Sequence, residues 1–228
     1  IEVGIALFIA TTTAATSMTR EKESNTLELV LATPLTSSQI IAGKIRGLVF
    51  AAGPLLVVPY LTVLLFIVRD ILGGDMFAAN ATPAVFWEAA LTMPILLVAF
   101  TAFACMIGLQ SSIQQKKTIN SVFRAMVIIL AVFALTAICP FAVVSSNTDP
   151  TLVAAFMPIT PVTAFNILLD PANAVQFGSP LIGPPLSAAR VASSAAALVV
   201  AGVYVLIGWS LHNNMVRSFD MTIRKQTA

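Results

Sequence analysis

The chain has 228 residues, of which 58% are hydrophobic and only 10% charged, whereas a soluble domain carries about 25% charged side chains. That composition excludes an ordinary water-soluble enzyme or binding module, and a net charge of +2 is too small to attract nucleic acid as a partner. With a mean hydropathy of +0.94, the sequence predicts one domain over residues 1–228, an all-α polytopic bundle of transmembrane helices whose surroundings are a lipid bilayer.

A hydrocarbon core needs roughly 20 apolar residues in a helix. The first predicted span covers 1–17; it is short and begins abruptly at Ile1, which predicts an earlier segment ahead of it. Residues 47–68, 89–109, 122–144 and 191–211 provide four more spans. No charged residue interrupts the second, third or fifth span. The fourth carries only Arg124, one turn from its start, where a long side chain reaches the headgroups. Pro54, Pro59, Pro94 and Pro140 fall inside spans and read either as tolerated kinks or as points of flexing. The small residues Ser194, Ala197, Ala201 and Gly208 suit close packing of the fifth span, within the chain or at a seam with a second copy. Cys105 and Cys139 lie in apolar runs and read as packing residues rather than a disulfide or metal pair.

Positive charge then orients the bundle. Arg20, Lys22, Lys44, Arg46, Lys116, Lys117, Arg124, Arg217, Arg224 and Lys225 fall on one side, and only Arg69 and Arg190 on the other. By the positive-inside rule the first side is cytoplasmic. This predicts a cytoplasmic C-terminal tail at 212–228 and a multi-pass protein of the cell (inner) membrane. Thr151 to Leu169 is apolar and nearly long enough to span, yet Pro158 and Pro161 would break its hydrogen-bond ladder at mid-membrane. It reads as a re-entrant or surface-lying helical pair within an extracytoplasmic loop, 145–190. Seven of the 13 prolines stiffen that loop.

The stretch TREKESNTLELVLATPLTSSQIIAGKIRG, from Thr19 to Gly47, interrupts this pattern. TREKES leaves the membrane, and Asn25 with Glu28 three residues later forms a capping-box pattern. The predicted helix Thr26–Ala32 places Leu27, Val30 and Leu31 on one face. Thr33-Pro34 ends it, because a residue before proline avoids the α region. Thr36 and Gln39 form a second capping box, opening a helix that passes Ile40, Ile41 and Lys44 into the second span. The short amphipathic helix reads either as an interfacial helix resting in the headgroups or as a rigid docking element for a cytoplasmic partner.

The same string resembles the signature of type-2 ATP-binding-cassette exporter permeases, in which a charged exit leads to a T-L-E-L-L-like helix, then T-P-L, then I-x-x-G-K. Matching positions are Arg20, Glu21, Glu23, Thr26, Leu27, Glu28, Leu29, Thr33, Pro34, Leu35, Ile40, Gly43 and Lys44. Ser24-Asn25 departs from the glycine often found before the threonine. The resemblance implies six spans, of which this chain holds the last five, with a coupling helix between the second and third and a re-entrant pair between the fifth and sixth. It further implies that two permeases, identical or paralogous, pair to form the path. Each would dock a cytoplasmic ATPase subunit through the coupling segment 19–46. On that reading the docking residues are Arg20, Glu21, Glu23, Asn25, Thr26, Leu27, Glu28, Val30, Leu31, Thr33, Pro34 and Lys44.

Other chemistry is excluded residue by residue. Gly43-Lys44 lacks the preceding glycine and is followed by Ile45, so the phosphate-loop pattern G-x-x-x-x-G-K-[ST] fails. The chain thus holds no cofactor, and ATP and Mg²⁺ belong to the partner subunit. No H-E-x-x-H is present, and the single His212 reads as a headgroup-level residue. Ion-coupled carriers and intramembrane enzymes need ionisable groups at depth, and these spans have none. The turn Gln115, Lys116, Lys117 is either an ordinary positive loop or a second contact with the ATPase. A non-transporting membrane scaffold that holds a cytoplasmic protein is the alternative from another class, and a stand-alone channel a weaker one.

Overall fold

The computed structural model describes residues 2–24, 26, 36–73, 85–146, 149–170, 174 and 184–227. Among these the regular elements are helical: α1 (Glu2–Ser17), α2 (Thr19–Glu23), α3 (Ser37–Gly73), α4 (Ala89–Gln114), α5 (Thr118–Ser146), α6 (Pro150–Phe156), a 3₁₀ turn (Met157–Ile159), α7 (Pro161–Leu169) and α8 (Pro184–Thr227). Four of them, α3, α4, α5 and α8, are long and apolar enough to cross a membrane. α1 has 16 residues, just under the usual spanning length. The protein is an all-α, multi-pass membrane protein.

All four long helices overrun the apolar segments read from sequence, α3 and α8 the furthest. α3 starts ten residues before the 47–68 run because its first turn is capped. The Thr36 N–H donates to Gln39 Oε1 at 3.0 Å and the Gln39 N–H to Thr36 Oγ1 at 3.4 Å, the reciprocal pair of a capping box. α8 opens on Pro184-Pro185, tolerated in a first turn whose N–H groups have no helical acceptor. It then continues through the polar segment expected as a tail, to Thr227. HNNMVRSFDMTIRKQT contains neither glycine nor proline to stop it.

The chain forms two compact units, one of Ile1–Pro54, Ala99–Ala131 and Tyr204–Ala228, the other of Leu55–Val98 and Val132–Val203. The first is built around an apolar cluster drawn from four helices. It contains Ala10, Ala14 and Met18, Ile40, Ile41 and Leu48, Cys105, Leu109 and Ile113, and Met215. Here α1 and α4 meet through small residues. A Cβ added at Gly108 would lie 2.7 Å from both Ala14 Cβ and the Thr11 carbonyl oxygen. Hydrocarbon outside a bundle is as apolar as leucine inside it, so close van der Waals approach of this kind drives helix association in a bilayer. Phe100 and Phe103 both meet Tyr204 edge-on, with centroids 4.9 and 5.0 Å apart.

In the second unit the buried Asp70 accepts the Val85 N–H at 3.2 Å. Arg190 pairs with Glu88 and stacks 3.8 Å over Phe86. The apolar run 151–169 folds as the short helices α6 and α7. Asp149 caps α6 by accepting from the Thr151 N–H and hydroxyl, bonds that hold its carboxyl below the ordinary range. Pro158 sits in the 3₁₀ turn and Pro161 in the first turn of α7, where Thr160 accepts the Thr163 N–H. With 7 and 9 residues, neither helix is long enough to span.

Candidate functional site

The charged stretch TREKE folds as α2 and lies within the first unit. The break between α1 and α2 falls at Met18, and Ser112 repairs it. Its Oγ accepts the N–H groups of Met18 and Thr19, each at 3.0 Å. Ser112 is fully buried, one turn beyond Gly108 on the face of α4 that approaches α1 most closely.

Three consecutive charges of α2 then reach three different helices. Lys22 Nζ donates to the carbonyls of Ser112, Ile113 and Gln115. These lie at the C-terminus of α4, where carbonyls lack helical partners and the helix dipole is negative. Burial pushes the Lys22 ammonium down to about 8. Glu23 does the reverse at the N-terminus of α5. Its carboxylate accepts the Thr118 N–H at 2.7 Å and the Thr118 hydroxyl at 2.9 Å, a cap delivered from another segment to a positive helix end. Those two bonds hold the Glu23 carboxyl below its ordinary value. Glu21 forms an ion pair with Lys44 of α3, and Lys44 also donates to the Ser17 carbonyl at 3.2 Å. A five-residue helix therefore ties the starts of α3 and α5 to the end of α4.

α2 closes with the Thr26 N–H donating to the Glu21 carbonyl at 3.0 Å, the six-to-one bond of a Schellman C-cap. The hydroxyls of Ser24 and Thr26 are 2.9 Å apart. Of the docking residues expected from sequence, Glu21, Glu23 and Lys44 make these intrachain contacts. Arg20 and Thr26 are exposed. Asn25, Leu27, Glu28, Val30, Leu31, Thr33 and Pro34 lie outside the described residues. Gln115 is half-buried and supplies one carbonyl to Lys22, while Lys116 and Lys117 are exposed in the three-residue turn between α4 and α5.

Sequence reading missed Lys22, Ser112 and Gly108. Only Gly108 and Ser112 left a trace, as part of the small-residue series Ala104, Gly108, Ser112 at four-residue spacing, which marks a close-packing face. Among the described residues no group of His, Cys, Asp and Glu is arranged to hold a metal ion. The described contacts of the site are helix ends, caps and one ion pair, an arrangement that fixes geometry.

Residues 3–215 match the family described as ABC-2 family transporter protein. No curated protein and no solved structure matches the chain significantly.

Proposed function

The chain belongs to the ABC-2 transporter family, and from that premise we propose that it is the permease subunit of an ATP-driven exporter, docking a separate cytoplasmic ATPase through residues 19–46. Two permease copies, identical or paralogous, form the path, with the basic turns and C-terminus on the cytoplasmic side. The permease supplies no catalytic group, and ATP with its Mg²⁺ is handled by the partner.

One observation carries the coupling part of this reading. The entry to the docking segment is joined, through Glu21, Lys22 and Glu23, to α3, α4 and α5. A load applied to residues 27–35 enters the bundle at α2 on one side and at the capped start of α3 on the other. A load that arrives at α2 is passed by these contacts to three membrane-crossing helices.

The test is co-purification of the ATPase with the membrane-inserted permease. Leu27→Asp and Leu31→Asp each place a charge on the predicted docking face and are expected to abolish it. If either variant inserts normally and keeps its ATPase, the docking assignment is overturned.

A further inference from the structure

A groove of about 770 Å³ in the first unit lies among α3, α4 and α8. Gln39, Arg46 and Val49 of α3, Phe103 of α4, and Val205 and Trp209 of α8 are among its lining residues. Arg46 precedes Val49 by three residues, roughly one helical turn, so a charged side chain borders an apolar part of the wall. Arg46 is exposed and has no ion pair with any described residue. Among the described residues no aspartate or glutamate lines the groove. An exposed guanidinium with no carboxylate in the surrounding wall is suited to an anionic acceptor.

The rim indicates what carries that anion. Trp209, Val205 and Val49 are 64%, 55% and 54% exposed. On helices that cross a membrane, apolar side chains exposed in this way face acyl chains. An indole and an arginine lining the same groove are residue types found where hydrocarbon gives way to headgroups. We infer that this groove is a binding site for an anionic glycerophospholipid of the adjacent leaflet. Its phosphate is held by Arg46, and its acyl chains lie along Phe103 and Val205 beside Trp209. The site stands apart from the docking reading and does not depend on it.

Trp209 reports directly on the proposal, since Trp87 is the only other tryptophan and Trp87→Phe leaves a single fluorophore. The full chain would be reconstituted in phosphatidylcholine vesicles in which either phosphatidylcholine or phosphatidylglycerol carries brominated acyl chains. Brominated phosphatidylglycerol is expected to quench Trp209 with about fivefold higher relative affinity, the factor for one headgroup–cation contact. Arg46→Gln should bring that ratio to one, while Arg46→Lys keeps the charge and should keep most of the preference. Added inorganic phosphate should leave quenching unchanged. Equal quenching by both lipids in the parent overturns the site, as does a preference that survives Arg46→Gln or disappears in Arg46→Lys as well. Relief by inorganic phosphate would show a free-anion site instead, and no quenching by either lipid would show a groove covered by protein; each refutes the lipid assignment.

Discussion

Lys22 and Glu23 are neighbours in the chain, yet each meets the helix end of opposite polarity. Lys22→Met would leave three carbonyls at the end of α4 without their charged donor. Hydrogen bonds to charged groups contribute about 1.5–3 kcal/mol. Because Lys22 is only half-buried, the expected loss is nearer 1 kcal/mol, read as a lower midpoint in denaturant titrations of the detergent-solubilised protein. Glu23 makes a pH-dependent contribution whose sign follows from its lowered carboxyl. The folded state binds the proton less tightly than the unfolded state, so the stabilisation is present above the ordinary carboxylate value of about 4.3. It is lost as pH falls through the lower folded value. Relative to Glu23→Gln, the wild-type Thr118–Ser121 amides should gain hydrogen-exchange protection as pH rises through that range; an unchanged ratio would refute the cap. Gly108 is the sharpest packing position. Gly108→Ala puts a methyl against a backbone carbonyl and is expected to cost about 1–3 kcal/mol. Gly202→Ala, which meets nothing within 4 Å, should be neutral or slightly stabilising on helix propensity alone.

At the scale of elements, helix boundaries follow caps rather than hydropathy. The Thr36–Gln39 box was legible in the sequence because a capping box is local, its partners three residues apart. It explains why α3 begins well before its apolar run. Thr36→Ala removes one acceptor and should cost about 1 kcal/mol, seen as faster amide exchange confined to Ser38–Ile41. The prolines were legible for the same reason. Pro158 and Pro161 sit at the junction of two short helices, as their missing N–H groups require. The long α8 was not anticipated, since the change from apolar to polar residues near His212 marks where hydrocarbon ends and carries no helix-stop signal. α2 was not anticipated either: five residues make a marginal helix alone, and its stability comes from contacts with α4, α5 and α3.

At the scale of the whole molecule, composition settles the class, and the distribution of lysine and arginine predicts an orientation. That orientation is testable with single cysteines at Lys116 and Thr151 in a background lacking Cys105 and Cys139. A membrane-impermeant maleimide applied to intact cells should label the Thr151 position and spare Lys116 until the membrane is opened; the opposite result would invert the proposed topology. The docking function belongs to this scale too, since it requires a load on one segment to reach several helices at once. A double variant, Lys22→Met with Thr118→Val, alters none of the docking residues named above and is expected to retain the ATPase partner. It should nevertheless change ATP turnover in the reconstituted complex, because docking is intact and the linkage behind it is weakened.

From composition, periodicity and caps within one turn, the sequence alone determines a helical membrane protein, the approximate positions of its long helices and the start of α3. Its charged motif resembles one family, and residues 3–215 bear out that resemblance. Tertiary structure alone decides what the charges do. Glu23 finds its partner 95 residues away, Lys22 its carbonyls 90 to 93 residues away, and Gly108 its neighbours on α1. Local rules reach only a turn or so along the chain, whereas the partners of a helix end are chosen by which other ends the packed bundle brings beside it.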